Sequence, residues 1–343
     1  MTAVRFGLIG CGKITQRLAL PQLTSCSAAT ITALVDTDRA SAEALVQQFG
    51  LEGMPIWTDW RRMLAEAEVD AVGVCLPNNL HADVAIAALK AKKHVMVEKP
   101  MALTLAEADA MIETARAQRR LLMVEHTQRF EPAHEVAHEL LRSGMLGKVV
   151  QVRGRIAHAG PEYWSSTSPW FVDKRASGGG SLMDVGIHIA DALRWLTGKE
   201  VARVCALAKT LEKSVGVEDT ATVLLEWTDG TIGSFEASWT GRPYEVTTTC
   251  WGERGIVETA LGRPNPVAIR WCKPEDPGSP LGEPCCPTVP SSSRWGGAYP
   301  YFTRCIQEGT EPFVSGQEGR ASLEIVLAAY ESIRRGGWVE LSP

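Results

Sequence analysis

No stretch of this 343-residue chain approaches the roughly 20 consecutive apolar residues that cross a bilayer. Nor is there an excess of positive charge. A formal charge of -5 offers little to a phosphate backbone or an anionic membrane, so neither nucleic acid nor a membrane surface is an expected partner. The N-terminus runs from Met1 to Phe6 straight into a strand pattern. It lacks a charged segment followed by a cleavable apolar one, so a cytoplasmic location is expected. The nine cysteines are odd in number and irregularly spaced, with only Cys285 and Cys286 adjacent. Neither a disulfide framework nor a zinc pattern is expected. Cys75, Cys205 and Cys250 sit in apolar runs, where a thiol behaves as a small hydrophobe. Repeats and low-complexity tracts are also missing.

What is there is alternation. Strand patterns at 4–9, 30–35, 71–76, 94–97 and 121–124 are separated by helix patterns at 14–23, 40–49, 81–91 and 105–119, with a short helix at 59–64. That order predicts an α/β class: a doubly wound parallel sheet with helices on both faces. After about residue 126 the pattern changes. Strands are expected at 149–157, 203–211, 219–227, 231–239, 246–252 and 255–259, with a helix over 181–196. Thr228-Asp229-Gly230 and Gly252-Glu253-Arg254 read as hairpin links. The second part is therefore an α+β domain with a large, mostly antiparallel open sheet. Residues 262–297, rich in Pro, Gly and Ser, read as a long surface loop, and helices over 299–308 and 317–335 close the chain. The division expected is 1–125 and 126–343.

Several residues fall at strand ends, where open parallel sheets take ligands. Gly10-Cys11-Gly12-Lys13-Ile14 follows the first strand and opens a helix, the arrangement that receives a pyrophosphate on a helix N-terminus. Asp36 ends the second strand, where a carboxylate bonds ribose hydroxyls and repels a 2′-phosphate. NAD is the expected cofactor, with NADP the alternative because Arg39 is near. Leu76-Pro77-Asn78 and His81 follow the third main strand, where Asn78 or Asn79 also reads as a helix cap. Lys99 is flanked by Glu98 and Pro100, and the Lys99-Pro100 bond is a candidate cis peptide. His126, Thr127 and Arg129 follow the strand at 121–124, so they too reach the ligand crevice.

On the helix over 181–196, Asp184, His188 and Asp191 fall within roughly 60° of one another, away from the apolar face. This stripe reads either as a solvated polar face or as a histidine base oriented by a carboxylate. Gly178, Gly179 and Gly180 would let that helix start close against a ligand. It holds too few ligands for a metal, and none is expected. Trp164, Trp170 and Lys174 are candidates for a carbohydrate pocket or for packing.

These residues resemble the Gfo/Idh/MocA oxidoreductases, a group that includes glucose-fructose oxidoreductase and inositol dehydrogenase. The likeness runs over the whole chain. It includes Gly10-Cys11-Gly12, Asp36, Pro77-Asn78 with His81, Glu98-Lys99-Pro100 and Gly178 to Asp191, then Val217-Glu218-Asp219-Thr220-Ala221 and Val314 to Gly319. Thr15 occupies the third small-residue position, and Phe171 stands where many members have arginine after the tryptophan.

The resemblance implies a Rossmann domain and a C-terminal domain whose open sheet forms a homodimer or homotetramer. It implies that Lys99 touches nicotinamide and substrate while Asp184 and His188 bind the reacting hydroxyls. It implies hydride transfer between NAD(P) and a secondary hydroxyl, or ketone, of a sugar or a cyclitol such as inositol. Two alternatives stay open. One is an NAD-dependent glycosidase or lyase working by transient sugar oxidation. The other is a non-catalytic sugar-responsive regulator, against which Lys99, Asp184 and His188 together argue.

Overall fold

A computed structural model describes residues 2–163, 169–272 and 282–341. Trp164 lies outside the described residues. The chain forms two compact units. The first holds Met1–His126, Arg175–Gly178 and Trp295–Leu323, and the second Thr127–Lys174, Gly179–Arg294 and Glu324–Pro343. Among the described residues the α-helices are α1 (Leu20–Ser25), α2 (Arg39–Phe49), α3 (Trp60–Glu66), α4 (His81–Lys90), α5 (Leu105–Gln118), α6 (Pro132–Arg142), α7 (Lys174–Ser177), α8 (Ile187–Thr197), α9 (Ala298–Glu308) and α10 (Gly316–Arg335).

The first unit carries β1 (Val4–Ile9), β2 (Ala29–Val35), β3 (Ile56–Trp57), β4 (Ala71–Val74), β5 (His94–Glu98) and β6 (Leu122–Glu125). They lie in the order β3-β2-β1-β4-β5-β6, every neighbouring pair parallel. The residues of β4 and β6 are buried throughout, as in a sheet covered on both faces. Chain order reverses between β1 and β4, the switch point at which doubly wound sheets take ligands. The two residues of β3 were not expected, being too few to show a period. α5 begins where its sequence says it should. The Thr104 hydroxyl accepts from the Glu107 N–H and the Glu107 carboxylate accepts from the Thr104 N–H, a capping box that contributes on the order of 1 kcal/mol.

The second unit carries β7 (Val149–Ala157), β8 (Val201–Lys209), β9 (Thr220–Trp227), β10 (Ile232–Ser238), β11 (Glu245–Gly252), β12 (Gly255–Ala260), β13 (Val267–Trp271) and β14 (Val339–Glu340). Their order is β13-β12-β11-β7-β10-β9-β8-β14. All neighbours are antiparallel except β7 and β10, which makes the sheet mixed. Burial alternates along β9, with Val223, Leu225 and Trp227 inside and Leu224 outside. One face is thus core and the other open. Both expected hairpin links join adjacent antiparallel strands, β9 to β10 and β11 to β12.

Two expectations are corrected here. The segment 262–297 is not loop throughout, because β13 pairs with β12 and Cys285 bridges Ile269. α6 falls where no helix was expected. Its buried face includes His134 and His138 beside Ala133 and Ala137, and the two histidines break the apolar period.

Candidate active site

In the first unit, Gly10 adopts φ +98°, and a Cβ there would stand 2.1 Å from the Cys75 carbonyl oxygen. The loops leaving β1 and β4 therefore meet backbone to backbone, which only glycine permits. A Cβ at Gly12 would meet nothing within 4 Å. That open flank lies at the start of the helical turn beginning at Lys13, where a helix N-terminus suits a pyrophosphate. Lys13 is exposed with Nζ 3.2 Å from Gln16 Oε1, and Ile14 is half-buried. Thr15 is fully buried, and its hydroxyl donates to the Gly10 carbonyl at 2.5 Å, so the larger residue fastens the loop. It also begins a π-helical turn, Thr15–Ala19.

Asp36 Oδ2 accepts from the Cys11 N–H at 2.8 Å, and Oδ1 from the Asp38 N–H at 2.9 Å. Burial, then the Asp36 charge, pushes the Cys11 thiol up to about 12, which keeps it neutral and unreactive. Arg39 is exposed and paired with Glu43 at 2.8 Å.

Leu76 and Pro77 are half-buried at the end of β4. Asn78 does not cap α4. It is buried and donates from Nδ2 to the Ser177 carbonyl at 2.8 Å. His81 is fully buried, with Nδ1 2.7 Å from the Pro100 carbonyl and Nε2 2.8 Å from the Leu76 carbonyl. Its ring braces two loops and does not face outward. Burial pushes this imidazole below the ordinary histidine range, against the pull of the two carbonyls. Lys99 is half-buried just past β5, its bond to Pro100 is cis, and its N–H donates to the buried Glu98 carboxylate at 3.3 Å. His126 is fully buried, and Thr127 opens the 3₁₀ turn Thr127–Phe130 of the second unit.

In the second unit, the helix carrying Asp184 and His188 is not regular. Leu182–Gly186 forms a π turn that runs into α8. Such turns recur at functional sites. The Glu218 carboxylate fixes its start, accepting from the N–H groups of Gly180 and Leu182 at 2.9 and 3.0 Å and from the Tyr330 hydroxyl at 2.7 Å. Here Gly179 and Gly180 serve packing. A Cβ at the first would strike the Tyr330 hydroxyl, and at the second the Glu218 carbonyl. The close approach expected toward a ligand is thus toward Tyr330 and Glu218.

Asp184 is buried, and its Oδ2 accepts from Trp239 Nε1 at 2.9 Å. The same oxygen lies 3.5 Å from His158 Nε2. The Gly160 N–H donates to His158 Nδ1 at 2.9 Å, so Nε2 carries the ring proton that points at Asp184. The Trp239 bond orients the carboxylate, with the His158 ring 3.5 Å from the same oxygen. His188 is half-buried one turn on. The solvated stripe is corrected, because Asp191 is fully buried and bound bidentately by Arg129, which leaves the crevice set. Trp170 stacks on Phe171 at 3.9 Å, and Lys174 is exposed at the start of α7.

Sequence reasoning missed His158, Trp239, Glu218 and Tyr330 as site residues. The usable signal was position: His158 and Trp239 are the first residues past β7 and β10. Among the described residues no group of three or more His, Cys, Asp or Glu is placed to hold a metal, and no helix is long and apolar enough to cross a membrane.

Family models agree with this arrangement. Residues 4–126 match the oxidoreductase family with an NAD-binding Rossmann fold, and residues 134–258 match the GFO/IDH/MocA C-terminal domain. The chain belongs to the Gfo/Idh/MocA oxidoreductase family. It is an α/β protein with a Rossmann domain that binds NAD. It is 28% identical to scyllo-inositol 2-dehydrogenase (NAD(+)) of Bacillus subtilis, over 98% of this chain and 96% of that one. The crystal structure of an oxidoreductase domain protein from Kribbella flavida superposes with TM-score 0.85 at 29% identity, covering all of both chains. The WlbA dehydrogenase of Bordetella pertussis, solved with NADH and UDP-GlcNAcA, gives TM-score 0.85 at 25% identity over 99% of each chain.

Proposed function

We propose that this protein is an NAD(P)-dependent dehydrogenase that moves a hydride between nicotinamide and a secondary hydroxyl of a sugar or cyclitol. The observation that carries the reading is Asp184, a buried carboxylate oriented by Trp239 beside His158 on the helix that presents His188. The glycine cradle and Asp36 fit the dinucleotide. Gly10, Cys11, Gly12, Lys13 and Ile14 would take its phosphates, Asp36 its adenosine ribose, and Leu76, Pro77, Asn78, Glu98 and Lys99 the rest. Asp36 favours NAD over NADP, since a carboxylate there repels a 2′-phosphate.

Bound NAD(P) supplies the hydride acceptor. In the oxidising direction His188 accepts the hydroxyl proton as the C–H electron pair leaves carbon. Lys99 donates to the oxygen on which negative charge develops. Asp184 accepts from a neighbouring substrate hydroxyl and fixes the ring. His126, Thr127, Trp170 and Lys174 complete the proposed contacts, with Trp164 from outside the described residues.

We take 1–125 as the nucleotide-binding domain and 126–343 as the substrate and oligomerisation domain; the break between units after His126 supports this, while Arg175–Gly178 and Trp295–Leu323 pack with the first unit. A homodimer or homotetramer through the open sheet face is supported by exposed Leu207, Leu224 and Ile232 on that face, interleaved with the Arg155–Glu236 and Arg203–Glu226 pairs. A cytoplasmic location is supported by nine free thiols.

The test is absorbance of reduced nicotinamide on mixing the protein with NAD⁺ or NADP⁺ and a panel of inositols, aldoses and glycosides. Signal with NAD⁺ and one polyol class is expected. Signal with NADP⁺ alone would overturn the Asp36 reading. Glycoside consumed with no net reduced nicotinamide would replace the dehydrogenase by the glycosidase or lyase.

A further inference from the structure

The same end of the mixed sheet that holds Asp184 also carries an open cavity of about 470 Å³, lined among the described residues by residues of the second unit. Its walls continue the strands that supply the carboxylate's partners. His158 and Trp239 are the first residues beyond β7 and β10, and the cavity is lined by Pro161 and Phe171 after β7, Val215 after β8 and Arg242 after β10. His158 and Pro161 are three residues apart, so their Cα atoms lie within about 11 Å of each other. The cavity thus opens beside the strand end that brings His158 to the carboxylate.

Its chemistry is apolar with neutralised charge. Proline, phenylalanine and valine form much of the lining. The two cations among its described lining residues are already engaged: Lys213 with the Glu162 carboxylate and the Ala159 carbonyl, and Arg242 with Glu212 at 2.8 Å. Each cation already pairs with a carboxylate, so the lining is close to neutral and offers a phosphate or carboxylate little net attraction. The wall carrying Lys213 is fixed beforehand. Asp219 accepts from the N–H groups of Leu211, Glu212 and Lys213 at 2.8–3.0 Å. Burial alone would raise the Asp219 pKa, yet these bonds hold it below the usual carboxylate range.

We propose that this cavity is an aglycone subsite and that the preferred substrates are uncharged glycosides with an apolar, aryl or alkyl, aglycone. The inference rests on the dehydrogenase reading and narrows its substrate class. The reacting ring lies on Asp184, and the aglycone covers Pro161, Phe171 and Val215.

The experiment pairs each methyl glycoside of glucose, galactose and xylose with its phenyl counterpart. kcat/KM with NAD⁺ is measured, together with calorimetric binding in the presence of NADH, on the intact protein and on Val215→Asp. Val215 is only half-buried, so the variant is expected to keep its thermal midpoint. A phenyl preference of about tenfold or more, lost in Val215→Asp while methyl glycosides are unaffected, is the expected result. Equal turnover of phenyl and methyl glycosides would overturn the subsite and leave the dehydrogenase standing. Phenyl-selective binding that Val215→Asp removes, without hydride transfer to either cofactor, would overturn the dehydrogenase and leave the subsite standing. Absence of both would overturn both.

Discussion

Arg129 and Asp191 form a bidentate pair, Nε to Oδ2 at 2.8 Å and Nη2 to Oδ1 at 2.7 Å, with both side chains at most 1% exposed. It joins the 3₁₀ turn Thr127–Phe130 to α8, the helix that presents His188. Removing one partner strands a buried charge. Arg129→Met or Asp191→Leu alone should cost about 3–5 kcal/mol, while the double variant should recover most of it. Thermal and urea unfolding of the three variants decide this, and a double variant as damaged as the worse single one would refute it.

Lys99→Ala is expected to lower turnover by at least about a hundredfold, as for loss of a donor to developing oxyanion charge. NADH binding, read by fluorescence, should weaken far less than turnover, and the thermal midpoint should barely change. Unaltered kcat would remove Lys99 from the chemistry.

Trp239→Phe takes one donor from Asp184 Oδ2 and leaves the aromatic volume in place. A loss of about 1–3 kcal/mol in transition-state binding is expected, appearing in kcat/KM for the sugar with the KM for NAD⁺ unchanged. His158→Phe should act in the same direction. Steady-state kinetics with each substrate varied in turn would expose the opposite pattern.

Acid should destabilise the fold through buried histidines. Burial depresses His94, His134 and His138 to about 4. The unfolded chain, with its histidines near the ordinary value of about 6.5, then binds more protons than the folded one between those limits. Stability is therefore full above pH of about 6.5 and falls as pH drops toward 4. Thermal midpoints across this window should decline, and His134→Phe should flatten the decline. An unchanged slope in that variant would show that His134 takes no part.

What could be read from the amino-acid order was local chemistry. Gly10-Cys11-Gly12 and Lys99 announce themselves because a turn, a strand end and a proline lie within a few residues of one another. Asp36 was legible as the last word of a strand, though its bond to Cys11 was not. The π turn at Leu182–Gly186 was out of reach, since its bonds depart from the period on which the helix was read. His158 and Trp239 meet Asp184 only because distant strands end together, a relation set by sheet order. Asp191 looked solvent-facing by angle alone; its partner Arg129 sits 62 residues away. The two buried histidines of α6 carry apolar packing in polar letters, His138 stacked on Trp195 at 4.1 Å.

The bond from the Cys11 N–H to Asp36 has a thermodynamic corollary. With Thr15 latching Gly10 from the other side, the glycine loop is braced by hydrogen bonds of its own. Little conformational entropy remains to be lost when a dinucleotide arrives. Its association should then be rapid, with a heat-capacity change that reflects buried surface alone and none of the extra contribution that ordering a mobile loop adds.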